Sequence, residues 1–413
     1  MTSRERLLAA IRHEKPDYVP MYCWCFGFLA PPHLRWERNG HEVAHWYTMR
    51  LEFIHTLPER WTVEDDFERV LRWFGLGVDD VLEVSLPPGI HPEVRVRDWK
   101  EPPTQAEPHW LLCREYETPV GPLRHVVRRT EEKSGPGWVV QPEHVPLVED
   151  MNIPRGVKHL VTGPEDLPKL RYILREPSPD QLAAYRERMK LVRRFAQEHE
   201  VLVQGWGPLG MDGTVYFCGV EGAVMAAMTQ PDFFQQMIDI IDEFDRRVAG
   251  MMLDVGGVDL LVQRGWFSAT DFWSPTLFRK FVSPKLKGLA EIVHQAGNLF
   301  GYTMTRGAST MAEDLLAAGV DLLYYVDPVQ DKTDLAEVKR RFRGRLTATG
   351  GLDSAAILRG GSKTEIRRAV HTAVHQLGPA GFILAPVDGL FPDTPWSSVE
   401  AMIEAWREVR DIP

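Results

Sequence analysis

Three aspartates, three tryptophans and two arginines stand where runs of apolar residues stop, and these are residue types from which an acid, base or anion site is built. Asp327, Asp353 and Asp388 each follow a β-like stretch, where a carboxyl can hold a proton, take one up or ligate a metal. Trp24, Trp206 and Trp266 offer flat apolar walls, and Gln204, Gln263 and Tyr302 offer hydrogen-bonding groups. Arg264 and Arg306 are forks that match a carboxylate. Aromatic walls with a few converging polar groups describe a site for a small, apolar or aromatic molecule that carries an anionic group.

Each residue also has a plainer reading. Asp327 precedes Pro328 and fits a turn cap, Asp353 in Thr349-Gly-Gly-Leu-Asp353-Ser fits the cap of a following helix, and Asp388-Gly389 is a common turn pair. The two glycines before Asp353 would let backbone approach a ligand closely. The tryptophans fit packing roles as well as contacts. Strand-end position decides in favour of a site: Asp388, Tyr302 and Asp353 as catalytic groups, with Gln204, Trp206, Gln263, Arg264, Trp266, Arg306 and Trp24 as substrate contacts.

Such ends need strands to carry them, and eight apolar runs are present: 18–26, 78–86, 201–206, 258–264, 299–304, 321–327, 345–353 and 381–388. They are too far apart for hairpins and most are followed by helical patterns, so parallel strands with crossover helices are implied. Eight such units predict a (β/α)8 TIM barrel, in which chemistry belongs at the C-terminal ends of the strands. The rival open sheet lacks a Gly-x-Gly-x-x-Gly after an early strand. Residues 87–164, rich in Pro, Gly and short β-like runs at 110–116 and 123–128, read as an irregular, β-rich insertion at the barrel rim after the second strand. The whole chain, 1–413, reads as one domain. A helix over 3–13 capped by Ser3 and a helical stretch from Arg50 to Phe74 complete the first units.

Composition narrows the function. Of 413 residues, 44% are hydrophobic and 26% charged, as in an ordinary globular protein. The formal net charge of −10 gives no global support for binding nucleic acid, and no stretch approaches a bilayer span, so a cytoplasmic protein acting on a small molecule is expected. Four scattered cysteines exclude a disulfide framework, and Cys23-Trp24-Cys25 reads as packing. His294 sits near a helix C-terminus, where a structural role suits it. C-x-x-C, H-E-x-x-H, G-x-x-x-x-G-K-[ST] and G-x-S-x-G are all missing.

The segments Arg4-Glu-Arg-Leu-Leu-Ala-Ala-Ile-Arg-His-Glu-Lys-Pro-Asp17-Tyr-Val-Pro20, Ser274 to Pro284, Ala318 to Asp321, Gly350-Gly-Leu-Asp353 and Pro395 to Ala401 follow one another as in a known group. Through them the chain resembles the uroporphyrinogen decarboxylase superfamily, which includes the porphyrinogen decarboxylase and the corrinoid-linked methyltransferases. The decarboxylase's arginine-rich loop corresponds to Phe26 to Trp36, which leaves Arg35 and Arg38. Its strand-two aspartate falls near Leu86 and its last-strand histidine at Asp388. The methyltransferases' zinc ligands, an H-x-C pair and a distant cysteine, correspond to Tyr302-Thr-Met304 and Asp388, so of these Asp388 alone suits a metal.

The resemblance therefore implies methyl or small-group transfer in place of porphyrinogen decarboxylation, with the acceptor corrinoid on a separate protein because this chain has no D-x-H-x-x-G. Many members of the superfamily are homodimers. The alternatives are a metal-free decarboxylase or lyase, and a non-catalytic small-molecule sensor.

Overall fold

The computed structural model describes residues 1–48, 61–131 and 135–411. Its centre is a seven-stranded sheet: β1 (Val81–Ser85), β2 (Leu202–Trp206), β3 (Leu260–Gln263), β4 (Leu299–Thr303), β5 (Leu322–Val326), β6 (Thr347–Asp353) and β7 (Phe382–Val387). They lie side by side in chain order and every pairing is parallel. All seven are buried along almost their whole length, as expected of strands covered on both faces.

The expected first strand takes another form. Met21 bridges Leu384 of β7, Tyr22 bridges Asp79 just before β1 and Cys25 bridges Leu390 just after β7, all in parallel sense, so this run closes the barrel through three isolated bridges. Phe26 belongs to a different element, the strand Phe26–Leu29, which pairs antiparallel with His45–Tyr47. The expected helix from Arg50 begins at Val63 and runs to Gly75; residues 50–60 of that expectation lie outside the described residues.

Helices follow the strands and cover the sheet. Gly210–Thr229 and Pro231–Val255 come after β2, Ser283–Gln295 after β3, Ala312–Ala318 after β4, Leu335–Phe342 after β5, Lys363–Leu377 after β6 and Trp396–Val409 after β7. The N-terminal helix Ser3–Ile11 is capped by Thr2, whose hydroxyl accepts from Glu5 N while the Glu5 carboxylate accepts from Thr2 N; Ser3 is its first turn and not its cap. This helix seals the N-terminal end of the barrel. Thr347 Oγ1, at the start of β6, donates to Ala10 O and Ile11 O, and Arg4 pairs with Asp259 just before β3.

Within residues 87–164 lies a four-stranded antiparallel sheet, Arg95–Glu101, Trp110–Thr118, Gly121–Arg129 and Gly156–Lys158. The chain between its last two strands runs back to the barrel. Trp138 stacks on Phe391 at 5.9 Å, Tyr47 Oη donates to Gly137 O, and the short helix Asp150–Arg155 reaches the end of β3. Among the described residues no helix is long and apolar enough to cross a membrane.

The seam has its own ionic lock. Arg6, 6% exposed, donates to Asp17 and, through Nη1 at 2.6 Å, to Asp79, which is 1% exposed and also accepts from Met21 N. Burial raises the Asp79 carboxyl to about 6 despite that guanidinium. Replacing Arg6 by Met strands the carboxylate, and the expected loss is about 3–5 kcal/mol of unfolding free energy near neutral pH. Urea denaturation should show a smaller loss below about pH 5, where Asp79 is neutral in the fold.

Candidate active site

Side-chain parity sorts the strand-end residues into two groups. Gln263 and Tyr302 are register partners on β3 and β4 and lie on the outer face, between the sheet and the helices. There they border a crevice with Ile238, Ile241, Phe281 and Leu286. Gln263 Nε2 donates to Asp245, and Tyr302 Oη donates to Ser268 Oγ at 2.6 Å. Both are engaged in holding helix to sheet, apart from the indole pair. Arg306 is also apart from it: its side chain is 38% exposed and pairs with Asp271. Arg35 and Arg38 pair with Glu42 and Asp65.

The other group converges. The Trp206 and Trp266 rings stack at 5.6 Å, 14° from parallel. The Arg264 guanidinium lies 5.0 Å from the Trp266 ring and 5.7 Å from that of Tyr216. Trp266 also lies beside Asp388 and favours its ionised carboxyl. Trp24 closes the same end: its backbone oxygen accepts from Leu390 N, and a Cβ on Gly389 would stand 2.6 Å from its ring. Gly389 therefore has to be glycine, and it adopts φ +104°.

Arg264 is 1% exposed and is a buried positive charge. Its Nη2 donates to Asp150 at 2.7 Å and its Nε lies 3.8 Å from Asp212, while Nε and Nη1 make no hydrogen bond among the described residues. Asp150 comes from the short helix Asp150–Arg155 and is steadied by Tyr216 Oη at 2.6 Å. Asp212 accepts from the backbone N–H groups of Trp266 and Phe267, which sets the turn carrying Trp266. Burial raises Asp212 to about 7, against the pull of Arg264.

The three aspartates divide by role. Asp388, at φ +60°, follows β7 in the left-handed conformation that Asp tolerates. Burial raises it to about 6, and the nearby Asp353 adds to the shift. Asp353 caps the helical turn Ser354–Arg359 through Ala356 N and accepts from Gln330 Nε2 at 3.0 Å. Asp327 caps its own turn through Val329 N and Gln330 N; burial raises it to about 6, and Asp353 lies within hydrogen-bonding reach. The cap readings thus hold for both. Gly350 and Gly351 serve the fold, since Cβ atoms there would meet Val326 O at 2.5 Å and the Ala373 side chain at 2.8 Å; no ligand role is needed to explain them.

One acidic group escaped the strand-end reading because it sits deeper. Glu83, in the middle of β1 and 2% exposed, accepts at Oε1 from Gln204 Nε2 (3.3 Å) and Tyr22 Oη (3.5 Å). Gln204 Oε1 in turn accepts from Tyr324 Oη at 2.7 Å, so the network crosses the barrel from the seam to β5. The signal in the sequence is an acidic residue inside the apolar run Val81-Leu-Glu83-Val84. Burial lifts Glu83 to about 8, with Arg69 pulling the other way.

A zinc site of the kind the resemblance implies does not fit these residues. Tyr302 is bound to Ser268, Met304 is a fully buried thioether, and Asp388 stands alone as a suitable donor. Among the described residues no three His, Cys, Asp or Glu side chains are grouped to hold a metal.

Glu83 makes a pH prediction. Folded, it keeps its proton to about pH 8; unfolded, it loses it in the usual carboxylate range, so folding stability falls as pH rises between the two. Glu83→Gln is expected to gain stability relative to the parent chain as pH goes from about 5 to 8, read as the difference in denaturation midpoints. A difference constant with pH would show that the carboxyl is ionised in the fold.

The profile of the family described as Uroporphyrinogen decarboxylase (URO-D) matches residues 145–409. Among solved structures, a methyltransferase from Methanosarcina mazei is similar over 99% of both chains, at 17% identity and a TM-score of 0.58. A B12-independent methionine synthase from Shewanella sp. W3-18-1 is similar over 94% of this chain and 96% of its own, at 10% identity and a TM-score of 0.43. No curated protein sequence matches. With the profile covering well over half of its length and the strands in barrel order, the chain belongs to the uroporphyrinogen decarboxylase (URO-D) family.

Proposed function

We propose that this protein is a methyltransferase-type enzyme that removes a methyl or another small group from a small, anionic and aromatic substrate. The observation that carries the reading is Arg264: a fully buried guanidinium at a strand end, flanked by Trp266 and Tyr216, with two N–H-bearing nitrogens unpartnered among the described residues. A carboxylate is the group that such a fork binds best, and the stacked Trp206 and Trp266 rings suit a flat apolar body beside it. Asp388, beside Trp266 and raised to about 6, gives a proton to the atom that the departing group leaves behind. Asp353 and Gln204 act behind these groups and keep the site rigid. The acceptor is a corrinoid on a separate protein, which supplies a metal nucleophile for the methyl group.

A second reading, a metal-free decarboxylase, is favoured by Glu83, which keeps its proton near neutral pH, since a carbanion left by carbon dioxide needs a proton donor. One assay separates the two: incubation with reduced corrinoid and a panel of methylated aromatic acids, followed by the spectrum of the corrinoid and by release of carbon dioxide. Methylated corrinoid is expected; carbon dioxide without it would replace the leading reading by the second.

Two variants test the roles. Asp388→Asn is expected to lower turnover at least about 100-fold while substrate still binds; unchanged turnover would remove Asp388 from the chemistry. Arg264→Met is expected to weaken benzoate binding roughly tenfold to 100-fold by calorimetry, and equal affinity would place the anion elsewhere.

A further inference from the structure

The barrel interior behind the indole pair contains two buried polar atoms with nothing to bind. Glu83 Oε2 and Trp206 Nε1 each lack a hydrogen-bond partner among the described residues, although Glu83 is 2% and Trp206 4% exposed. They are neighbours: the indole lies close enough to stabilise the Glu83 carboxylate, and no hydrogen bond at normal length closes between them. Buried groups of this kind cost stability unless something satisfies them.

The wiring around Glu83 says what that something is. Oε1 already accepts from Gln204 Nε2 and Tyr22 Oη. Gln204 cannot be turned around, because its own oxygen accepts from Tyr324 Oη at 2.7 Å. The charged and titratable groups facing the carboxyl are Arg69, Asp66 and Asp80, with Tyr22, Tyr324 and Tyr325 around it. Their balance with burial keeps it neutral near pH 7, and with Oε1 occupied by two donors its proton sits on Oε2. Oε2 and the indole nitrogen are then both donors, and two donors facing one space call for an acceptor.

We propose that Glu83 Oε2 and Trp206 Nε1 form a two-donor seat for one oxygen atom of the substrate, an ether, hydroxyl or phenolate oxygen. Trp206 stacks on Trp266, and Arg264 lies against the Trp266 ring, so the seat and the guanidinium would bind different groups of one substrate. The inference rests on the reading that substrate binds at this end of the barrel. It adds a residue pair that no strand-end position marks, and it makes oxygen recognition independent of anion recognition.

Phenol and toluene, alike in size and differing in the oxygen, are the probes, with benzoate as the separate reporter of Arg264. Affinities are measured by calorimetry on the full chain and on Trp206→Phe, Glu83→Ala and Glu83→Gln. The preference for phenol over toluene is expected to fall about tenfold in Trp206→Phe and in Glu83→Ala, and to survive in Glu83→Gln, whose amide still donates. A ratio is read because looser packing would weaken both probes together. Absence of a phenol preference in the parent chain, or a preference unchanged in Trp206→Phe, overturns the proposal even if Glu83→Ala fails to fold. Loss of benzoate binding in Arg264→Met with an unaltered phenol preference leaves the seat standing, so failure of the anion site and failure of the seat read differently.

Discussion

The architecture depends on closing the barrel where it has least backbone pairing. Seven strands share continuous ladders, whereas the eighth place is held by isolated bridges at Met21, Tyr22 and Cys25 and by the Arg6 guanidinium shared between Asp17 and Asp79. Side chains make up for the missing ladder. The same run carries Tyr22 and Trp24 inward, so the lock at the sealed end of the barrel determines where a hydroxyl and an indole stand further up. A seam built this way ties fold and site together through about four residues of chain.

The candidate site works by exclusion of water more than by density of charge. Glu83, Asp212 and Asp388 are all raised, in each case chiefly by burial, and the nearby indoles offer N–H donors without adding charge. Arg264 is the exception, a permanent cation kept in the interior by Asp150 and by two aromatic faces. Carboxyls held above their usual range beside a fixed cation form a site whose field stays oriented when a small anion enters, because few protein charges have to rearrange.

Much of the barrel was legible in the sequence because buried parallel strands are continuous apolar runs, and seven of them stand where those runs predicted. The first run was harder: an apolar stretch says that the chain is buried, and Met21-Tyr22 is buried between two strands without forming a ladder of its own. At the site, the strand-end residues Trp206, Arg264, Trp266 and Asp388 lie together. They could not separate these from Gln263 and Tyr302, since a shift of one residue turns a side chain from the axis to the helices, and strand ends are uncertain by that much. Glu83 was passed over because a search confined to ends ignores the middle of a strand, and Gly350-Gly351 looked ligand-related because glycine at a strand crossing and glycine at a ligand have the same sequence.

The helix Asp150–Arg155 has an evolutionary consequence. Its Asp150 carboxylate is the main counter-charge of Arg264, yet it belongs to chain outside the barrel strands. Substitution or resizing of that segment would change how strongly the guanidinium attracts an incoming anion while every strand stays as it is. Diversification in proteins built on this plan can therefore proceed by drift in a rim segment, with the scaffold inherited intact and the ligand preference reset from outside.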